Sequence, residues 1–325
     1  MINNLPDVLT ANELLENAFR KAKKVEIIDK DPFYRKKKII IAKTESFSNI
    51  IISKLEDYVK SFPSIEKLPS FYKEMLEIKI GINKLKKALG GINWAKKTCK
   101  NIYFKQSKFL TKSNNINFLL KKQQEIFGRI SSIVKQVNDE LMVLSKAQYL
   151  LKELPHIQEI PTVVIAGYPN VGKSSILRCL SSAKPEIAQY PFTTKEIHIG
   201  HINLKERYLI KQIQIVDTPG LFDRPSNQRN DIEKQAIAAL AHLANIIVFV
   251  IDPSETCGYQ LKDQLNILSQ IQNLFKTCFF IIVENKVDLK KSNSEYLKIS
   301  CETKENIDTL IKEIYSFINK KNEIK

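Results

Sequence analysis

Cysteine is scarce in this sequence, and no cysteines stand at a spacing typical of metal binding or thiol redox chemistry. The five cysteines are dispersed and no CxxC occurs, which argues against a zinc knuckle and against a CxxC redox pair. Scattered free thiols fit a reducing compartment, so we expect a cytoplasmic protein with reduced cysteines.

Long hydrophobic runs are missing as well. The longest cover residues 246–251 and 279–283, far short of the roughly 20 apolar residues that cross a bilayer. The first residues lack the basic and then apolar order of a secretory signal, and neither end carries a lipidation motif. We therefore expect no association with a membrane.

Glycine and proline are also sparse, with 9 and 12 residues among 325, which excludes collagen-like and glycine-rich fibrous proteins. Hydrophobic residues make up 43% and charged residues 26% of the chain, as in ordinary globular proteins and not in disordered ones. The length predicts about two domains.

Basic residues outnumber acidic ones by 51 to 35, for a net charge of +16. Almost all of the excess lies in residues 1–160, which hold 30 basic and 17 acidic side chains, against 21 and 18 in residues 161–325. Such a charge favours a polyanionic partner, and nucleic acid is the commonest. We expect RNA and not DNA.

The basic excess is strongest in residues 84–135, where 13 Lys and Arg face one acid, Glu125. Aromatic residues are interleaved with them, and helical spacing favours placing these in a core: Trp94, Tyr103, Phe104, Phe109, Phe118 and Phe127. The Gly90-Gly91 pair predicts a break where a loop presents lysines to phosphates. The candidate RNA contacts are Lys86, Lys87, Lys96, Lys97 and Lys100.

The first half of the chain has helical periodicity. A capping box at Thr10–Glu13 precedes one helix, and apolar residues at three- and four-residue steps predict others over 33–62, 71–80 and 118–154. We predict an all-α bundle of antiparallel helices over residues 1–160.

After Pro161, short β-branched runs alternate with helical segments, which predicts an α/β domain over 161–325 with a mostly parallel sheet. The predicted strands are 162–166, 197–202, 210–216, 246–251, 279–283 and 297–299. The predicted helices are 173–180, 231–243, 259–274 and 306–320. His198 and His201 show no metal-site spacing and are interpreted as strand or surface residues.

A phosphate-binding motif follows the first of these strands and opens a helix, which is the context that makes it specific. It reads Gly167-Tyr-Pro169-Asn170-Val171-Gly172-Lys173-Ser174-Ser175. Its backbone N–H groups are expected to cradle phosphates, with Lys173 on the β/γ-phosphates and Ser174 on Mg²⁺. We expect Lys173 to be catalytic.

Four further segments complete the set of G-protein boxes. Asp217-Thr-Pro-Gly220 predicts a Mg²⁺ contact by Asp217 and a γ-phosphate contact by the Gly220 N–H, a catalytic position. In Asn285-Lys286-Val-Asp288 the Asp288 carboxylate fits the paired donors of guanine, and the Ser300-Cys301 backbone fits the guanine O6. Either Thr193 or Thr194 should complete the Mg²⁺ shell and sense the γ-phosphate; we favour Thr194 and expect it to be catalytic. The expected ligands are GTP or GDP with Mg²⁺.

Segments 167–175, 190–194 and 217–220 resemble the Obg-related branch of translation-factor GTPases. Segments 217–225, 230–237 and 252–259, with 13–24, 90–94 and 127–132 in the N-terminal half, closely resemble the Nog family of nucleolar GTP-binding proteins. The resemblance covers roughly residues 5–315 and implies a factor that docks on ribosomal RNA and assembles the large ribosomal subunit. Because the long C-terminal extension of eukaryotic members is missing, the chain resembles a short, archaeal-type form.

The residue after Asp217-Thr-Pro-Gly220 is Leu221, which cannot orient water as the glutamine of Ras-like enzymes does. We therefore expect slow intrinsic hydrolysis of GTP to GDP, with an activating group from elsewhere. The resemblance to other GTPases with asparagine at position 170 implies stimulation by K⁺, although Asn170 could simply brace the loop. Two alternatives stay open: a GTP-gated binding placeholder with negligible hydrolysis, and a general RNA-associated regulatory G protein.

Overall fold

The computed structural model describes residues 5–158, 160–189, 196–206, 209–219, 237, 240, 243–276 and 278–323. A helical N-terminal domain is followed by a mixed, mostly parallel sheet with flanking helices. The chain divides into two compact units, one from Met1–Leu68 and Lys79–Lys152 and the other from Pro69–Ile78 and Glu153–Lys325. Among the described residues, no helix combines the length and apolarity that crossing a membrane requires.

The first unit is built from helices whose ends follow the local sequence. The predicted capping box is present, with Glu13 N–H donating to the Thr10 hydroxyl and Thr10 N–H donating to the Glu13 carboxylate. Asp31 caps the second helix, which has proline in its first turn. The helices of this unit are α1 (Ala11–Lys23), α2 (Pro32–Ser61), α4 (Ile82–Lys112), α5 (Ile116–Gln136) and α6 (Asn138–Glu153).

The core of this unit lies where α2 packs against α1, α4 and α5. Phe19, Phe47 and Phe127 form an aromatic cluster in which the Phe47 ring centroid lies 4.6 Å from that of Phe19 and 4.4 Å from that of Phe127. Leu14 and Ile51 are fully buried. The apolar positions at helical spacing thus form one core, as predicted.

Helix α3 (Ser70–Lys79) belongs to the second unit, whereas the sequence predicts a single division at residue 160. The Tyr72 hydroxyl donates to the Pro155 carbonyl at 2.9 Å and accepts from the Ile157 N–H at 3.1 Å. These two buried hydrogen bonds join α3 to the segment that leads into the sheet.

Two predictions about helix ends are wrong. Helix α4 continues through Gly90-Gly91, and a Cβ on Gly91 would lie 3.0 Å from the Glu140 side chain, so glycine here permits close helix packing and makes no loop. The single helix predicted over 118–154 is divided at Val137, whose φ of −100° and ψ of 21° depart from helical geometry.

The expectation that the aromatics of the basic segment are core residues is also wrong for four of them. Trp94, Phe104 and Phe109 are 48%, 55% and 51% exposed, and Phe118 is exposed as well. Phe127 lies in the aromatic cluster described above. Helical spacing identified the helix correctly but could not show which of its faces has a neighbour.

The sheet of the second unit has the order β2-β3-β4-β1-β5-β6-β7. The β2–β3 and β3–β4 pairs are antiparallel, and the other pairs are parallel. Strand β2 is short and was not predicted. The strands are β1 (Thr162–Ala166), β2 (Glu186–Gln189), β3 (Glu196–Glu206), β4 (Leu209–Asp217), β5 (Ile246–Ile251), β6 (Phe279–Glu284) and β7 (Leu297–Lys298).

Besides α3, the helices of this unit whose bounds lie within the described residues are α7 (Lys173–Leu180), α8 (Leu261–Leu274) and α9 (Ile307–Glu323). The helix predicted over 231–243 lies largely outside the described residues, of which 237, 240 and 243 are helical. Strands β1 and β5 are buried at every position, which is typical of the centre of a parallel sheet. The carboxyl ends of the parallel strands meet at one edge, where α/β proteins bind ligands.

Candidate functional site

A cavity of about 590 Å³ opens at the carboxyl edge of the parallel strands. Eleven of the residues predicted from sequence to bind nucleotide line it, although they come from three separate motifs. The lining residues are Pro169, Asn170, Gly172, Lys173, Ser174, Ser175, Pro219, Asn285, Lys286, Asp288, Leu289, Ser300, Cys301 and Glu302. The fold therefore brings the P-loop and the two C-terminal boxes to one place.

The other predicted residues either lie behind this lining or fall outside the structure. Gly167, Val171 and Asp217 are not part of the cavity wall; Val171 and Asp217 are fully buried. Thr193, Thr194, Gly220 and Leu221 lie outside the described residues.

The loop after β1 requires its glycines. A Cβ on Gly167 would lie 2.5 Å from the Val250 carbonyl oxygen, and Gly167 has a φ of 145°. A Cβ on Gly172, whose φ is 101°, would lie 2.1 Å from the Asn285 side-chain nitrogen. Since both positions combine positive φ with close backbone or side-chain approach, other residues would strain this loop.

Lys173 lies inside the loop that precedes it. Its side chain is almost fully buried, and Nζ donates to the carbonyl oxygens of Gly167 at 2.7 Å and Tyr168 at 2.6 Å. Burial of an ammonium group is unfavourable unless it is hydrogen-bonded. The arrangement concentrates positive charge at the N-terminus of α7, where the helix dipole also favours an anion.

Ser174 and Asp217 place a hydroxyl and a carboxylate next to each other beside this lysine. The Ser174 hydroxyl donates to Asp217 Oδ2 at 2.6 Å, while Asp217 Oδ1 is buried without a hydrogen-bond partner within the described part of the chain. Burial raises the pKa of the Asp217 carboxyl, and the Ser174 hydrogen bond opposes that rise. An orphaned carboxylate oxygen next to a hydroxyl fits a hard divalent cation such as Mg²⁺.

His198 approaches the same carboxylate, which the sequence interpretation missed. The antiparallel register pairs His198 with Asp217, and its Nδ1 lies 3.6 Å from Asp217 Oδ2. Only the β3–β4 register brings the two together, so residue spacing along the chain gave no signal.

Asn285 connects the C-terminal boxes to the P-loop. Its side-chain nitrogen donates to the Val171 carbonyl at 2.9 Å, and its side-chain oxygen accepts from the Cys301 N–H at 3.3 Å. Asn285 is almost fully buried. One amide therefore braces two loops that are far apart in sequence.

The Asp288 carboxylate is oriented by Ser300, which belongs to the last sequence motif. The Ser300 hydroxyl donates to Asp288 Oδ1 at 2.5 Å and accepts from the Thr303 N–H. Burial, followed by the nearby Cys179, raises the pKa of the Cys301 thiol to about 12. This thiol therefore stays protonated at neutral pH, and the main-chain contact of position 301 with the base stays a prediction.

Lys286 is anchored by residues of segment 252–259, which the sequence interpretation did not name as site residues. Its ammonium group donates to Asp252 Oδ2 at 2.7 Å and to the Thr256 hydroxyl at 2.9 Å. Fully buried Asp252 also accepts from the N–H groups of Ser254 and Cys257. Asp252 ends the apolar run of β5 much as Asp217 ends β4, and this parallel was the available sequence signal.

The fold and the site define the chain as a helical N-terminal domain followed by a P-loop G domain. The model of the NOG1 N-terminal helical domain matches residues 3–158, and the model described as Nucleolar GTP-binding protein 1 (NOG1) matches residues 231–288. The chain belongs to the NOG1 family of nucleolar GTP-binding proteins.

The chain is also similar to individual proteins of other organisms. An uncharacterised protein of Methanocaldococcus jannaschii is 40% identical over 289 residues, which cover 88% of this chain and 80% of that protein. Nucleolar GTP-binding protein 1 of Kluyveromyces lactis is 30% identical over 95% of this chain. The chain spans about half the length of the curated nucleolar relatives, 47% for K. lactis and 44% for Saccharomyces cerevisiae.

One solved structure is described as nucleolar GTP-binding protein 1 of Plasmodium falciparum. It is 30% identical and has a TM-score of 0.45, with coverage of 52% of this chain and 92% of the solved one.

Proposed function

We propose that this protein binds GTP with Mg²⁺, hydrolyses it to GDP and phosphate, and assists assembly of the large ribosomal subunit while docked on ribosomal RNA. The observation that carries the enzymatic part is the Ser174–Asp217 pair, hydrogen-bonded at 2.6 Å and with a buried unpartnered Asp217 oxygen. It lies beside the lysine of a P-loop, where Mg²⁺ and triphosphate meet in such enzymes.

The P-loop would hold the phosphates. Lys173 would exchange its present carbonyl partners for β- and γ-phosphate oxygens, and the backbone N–H groups at the start of α7 would bind the phosphates directly. Gly167, Pro169, Val171, Gly172 and Ser175 would shape this loop.

The C-terminal boxes would select guanine. The Asp288 carboxylate, oriented by Ser300, would accept from both N1–H and the 2-amino group, a pair of donors that adenine lacks. The stem of Lys286 would cover one face of the base while Asp252 holds its ammonium group. The main chain at Cys301 would contact the guanine O6 atom.

Ser174 and Asp217 would hold Mg²⁺, with Thr194 as a further ligand and the Gly220 N–H on the γ-phosphate. Mg²⁺ supplies neutralisation of the charge that develops on the phosphates. Asn170, exposed on the rim with a φ of 61°, is the candidate for contact with K⁺. Since Leu221 follows Gly220, the group that orients the attacking water would come from elsewhere, such as a ribosomal partner.

The proposed RNA partner is supported by helix α4, which carries nine lysines and no acidic residue. Neutralising phosphates is the commonest use of such an uninterrupted basic helix. The names of the nucleolar relatives fit a role in ribosome formation.

The enzymatic proposal is tested by measuring phosphate release from GTP at varied Mg²⁺, with and without large ribosomal subunits. We expect slow turnover that requires Mg²⁺ and rises with subunits. Ser174→Ala should abolish this turnover, whereas Ser269→Ala, an exposed serine on α8, should leave it unchanged. Tight GTP binding with no turnover under any of these conditions would favour the placeholder alternative.

The ribosomal proposal is tested by crosslinking the protein to RNA in cells and sequencing the bound RNA. We expect enrichment of large-subunit ribosomal RNA. Enrichment of other RNA classes alone would favour a general RNA-associated regulatory G protein.

A further inference from the structure

One face of helix α4 carries exposed aromatic and basic side chains in alternation. The exposed residues follow steps of three, four and seven, so they lie on one face of the helix. This lysine–aromatic stripe consists of Lys87, Trp94, Lys97, Asn101, Phe104 and Lys108.

The two aromatics of the stripe keep about half of their surface exposed, although the Phe104 ring lies 5.8 Å from that of Tyr103. Trp94, the chain's one tryptophan, is 48% exposed and Phe104 is 55% exposed. They are ten residues apart, which places them about 15 Å apart along the helix. Within the part of the chain that the structure describes, no carboxylate forms an ion pair with Lys87, Lys97 or Lys108.

We propose that this stripe binds unpaired RNA bases, which stack on Trp94 and Phe104 while the lysines contact the flanking phosphates. The inference rests on the proposed RNA docking and adds the class of RNA recognised. Single-stranded nucleic acid is bound by this combination of aromatic platforms and positive charge.

Other occupants fit this surface less well. A membrane or an apolar protein groove needs a continuous apolar face, whereas Lys97 and Asn101 separate the two rings of the stripe. Duplex RNA satisfies the lysines, but its base faces are stacked internally and leave the rings without a partner. Of these occupants, only unpaired bases would use both the aromatic rings and the lysines.

Lys100 shows that an ammonium group can sit near one of these rings, since its Nζ lies 5.8 Å from the Phe104 ring centroid. A basic group near a ring, with the ring still open to solvent, provides a phosphate contact next to a stacking surface. A nucleotide with an unpaired base would stack on the ring and place its phosphate beside the ammonium group.

The experiment uses the full chain and two RNA probes of about 12 units, an unpaired oligoadenylate and a duplex, a length within the range of single-strand binding sites. Because Trp94 is the only tryptophan, its fluorescence reports directly on stacking. We expect the unpaired probe to quench it and the duplex to leave it nearly unchanged.

Affinities of variants complete the test. Trp94→Ala and Phe104→Ala should each weaken binding of the unpaired probe by at least about fivefold, without changing duplex binding or the salt dependence. Trp94→Phe should retain most of the affinity, and Tyr149→Ala, which removes an exposed aromatic of α6, should change nothing. Thermal unfolding of each variant shows that the fold is intact.

Absence of quenching, equal loss on both probes, or no loss on either would overturn the stacking inference. So would a Trp94 response to anionic phospholipid vesicles but not to RNA. The variant Lys87→Glu/Lys97→Glu/Lys108→Glu separates RNA docking from base stacking. If this variant weakens binding of both probes while the ring variants change nothing, RNA docking stands and stacking fails. If the triple variant weakens binding of neither probe, RNA docking by this helix fails as well.

Discussion

The side-chain amide of Asn285 donates a 2.9 Å hydrogen bond to the backbone carbonyl of Val171, so the residue that follows β6 directly braces the P-loop. Removing this buried amide leaves the Val171 carbonyl and the Cys301 N–H without their partner. We predict that Asn285→Ala lowers the free energy of unfolding by about 1–3 kcal/mol and weakens binding of a fluorescent GDP analogue. Asn293→Ala, at an exposed asparagine nearby, is the matched control, and equal behaviour of the two variants would contradict the bracing role.

Gly172 also lies against the Asn285 side chain. A Cβ there would stand 2.1 Å from the Asn285 nitrogen on backbone with a φ of 101°. We therefore predict that Gly172→Ala displaces the loop and abolishes nucleotide binding measured by calorimetry. Gly128→Ala should be neutral or stabilise by about 0.5–1 kcal/mol, since Gly128 is helical and its Cβ would meet nothing within 4 Å.

Asp288 is the residue on which the choice of base depends. Its carboxylate is oriented by a 2.5 Å hydrogen bond from Ser300. We predict that Asp288→Asn weakens GTP binding and increases binding of xanthosine triphosphate, because an amide can donate to the xanthine 2-oxo group. Competition between the two nucleotides measures this exchange, and unchanged GTP affinity with no gain for the xanthine nucleotide would show that guanine binds elsewhere.

Much of the G domain follows from sequence because its motifs are local. The P-loop is specified by residues that are neighbours in the chain, and both β1 and α7 occupy the predicted ranges. The parallel sheet was predictable for the same reason, since each buried strand is a short β-branched run. The antiparallel β2, only four residues long, carries no such pattern.

Features that depend on distant residues could not be predicted. Gly90-Gly91 indicates a loop unless the proximity of Glu140 is known, and the exposure of Trp94 depends on which face of α4 has a neighbour. Asp252 follows an apolar strand much as Asp217 ends one, but only the fold shows that it pairs with Lys286. The structural role of each of these residues depends on its tertiary neighbours.

Asp252 provides a pH-dependent test of the Lys286 anchor. Burial alone would raise the pKa of its carboxyl, but hydrogen bonds from Lys286, Ser254 and Thr256 hold the pKa below the ordinary 3.8. Since the folded-state pKa is below the unfolded one, the ionised carboxyl stabilises the fold above pH 3.8, and this contribution disappears as pH falls through the folded-state value.

We predict that Asp252→Asn lowers the free energy of unfolding at neutral pH by about 1–3 kcal/mol, and that the deficit shrinks as the pH falls below 3.8. Denaturant unfolding at several pH values measures it. The variant should also weaken GDP binding at neutral pH because Lys286 loses its anchor. A pH-independent deficit would show that the charge of Asp252 is not what matters.

The basic helix α4 gives the last prediction, which concerns salt. Lys86 lies 3.4 Å from Glu66 and Lys96 lies 3.9 Å from Glu56, so an acidic side chain stands beside two of the lysines chosen from sequence. The exposed ones on the stripe, Lys87, Lys97 and Lys108, are better candidates for binding phosphates. For every phosphate that the protein no longer neutralises, the log–log slope of affinity against salt should fall by about 0.7–0.9.

We therefore expect reversal of these three lysines to glutamate to weaken binding of a large-subunit RNA fragment and to flatten its salt dependence by roughly two units. The control Lys262→Glu/Lys276→Glu/Lys312→Glu reverses three exposed lysines of the second unit and changes the net charge equally. If the two variants lose affinity and slope alike, only net charge matters; a selective effect of the α4 variant, with GTP affinity unchanged, identifies this helix as the RNA-binding element.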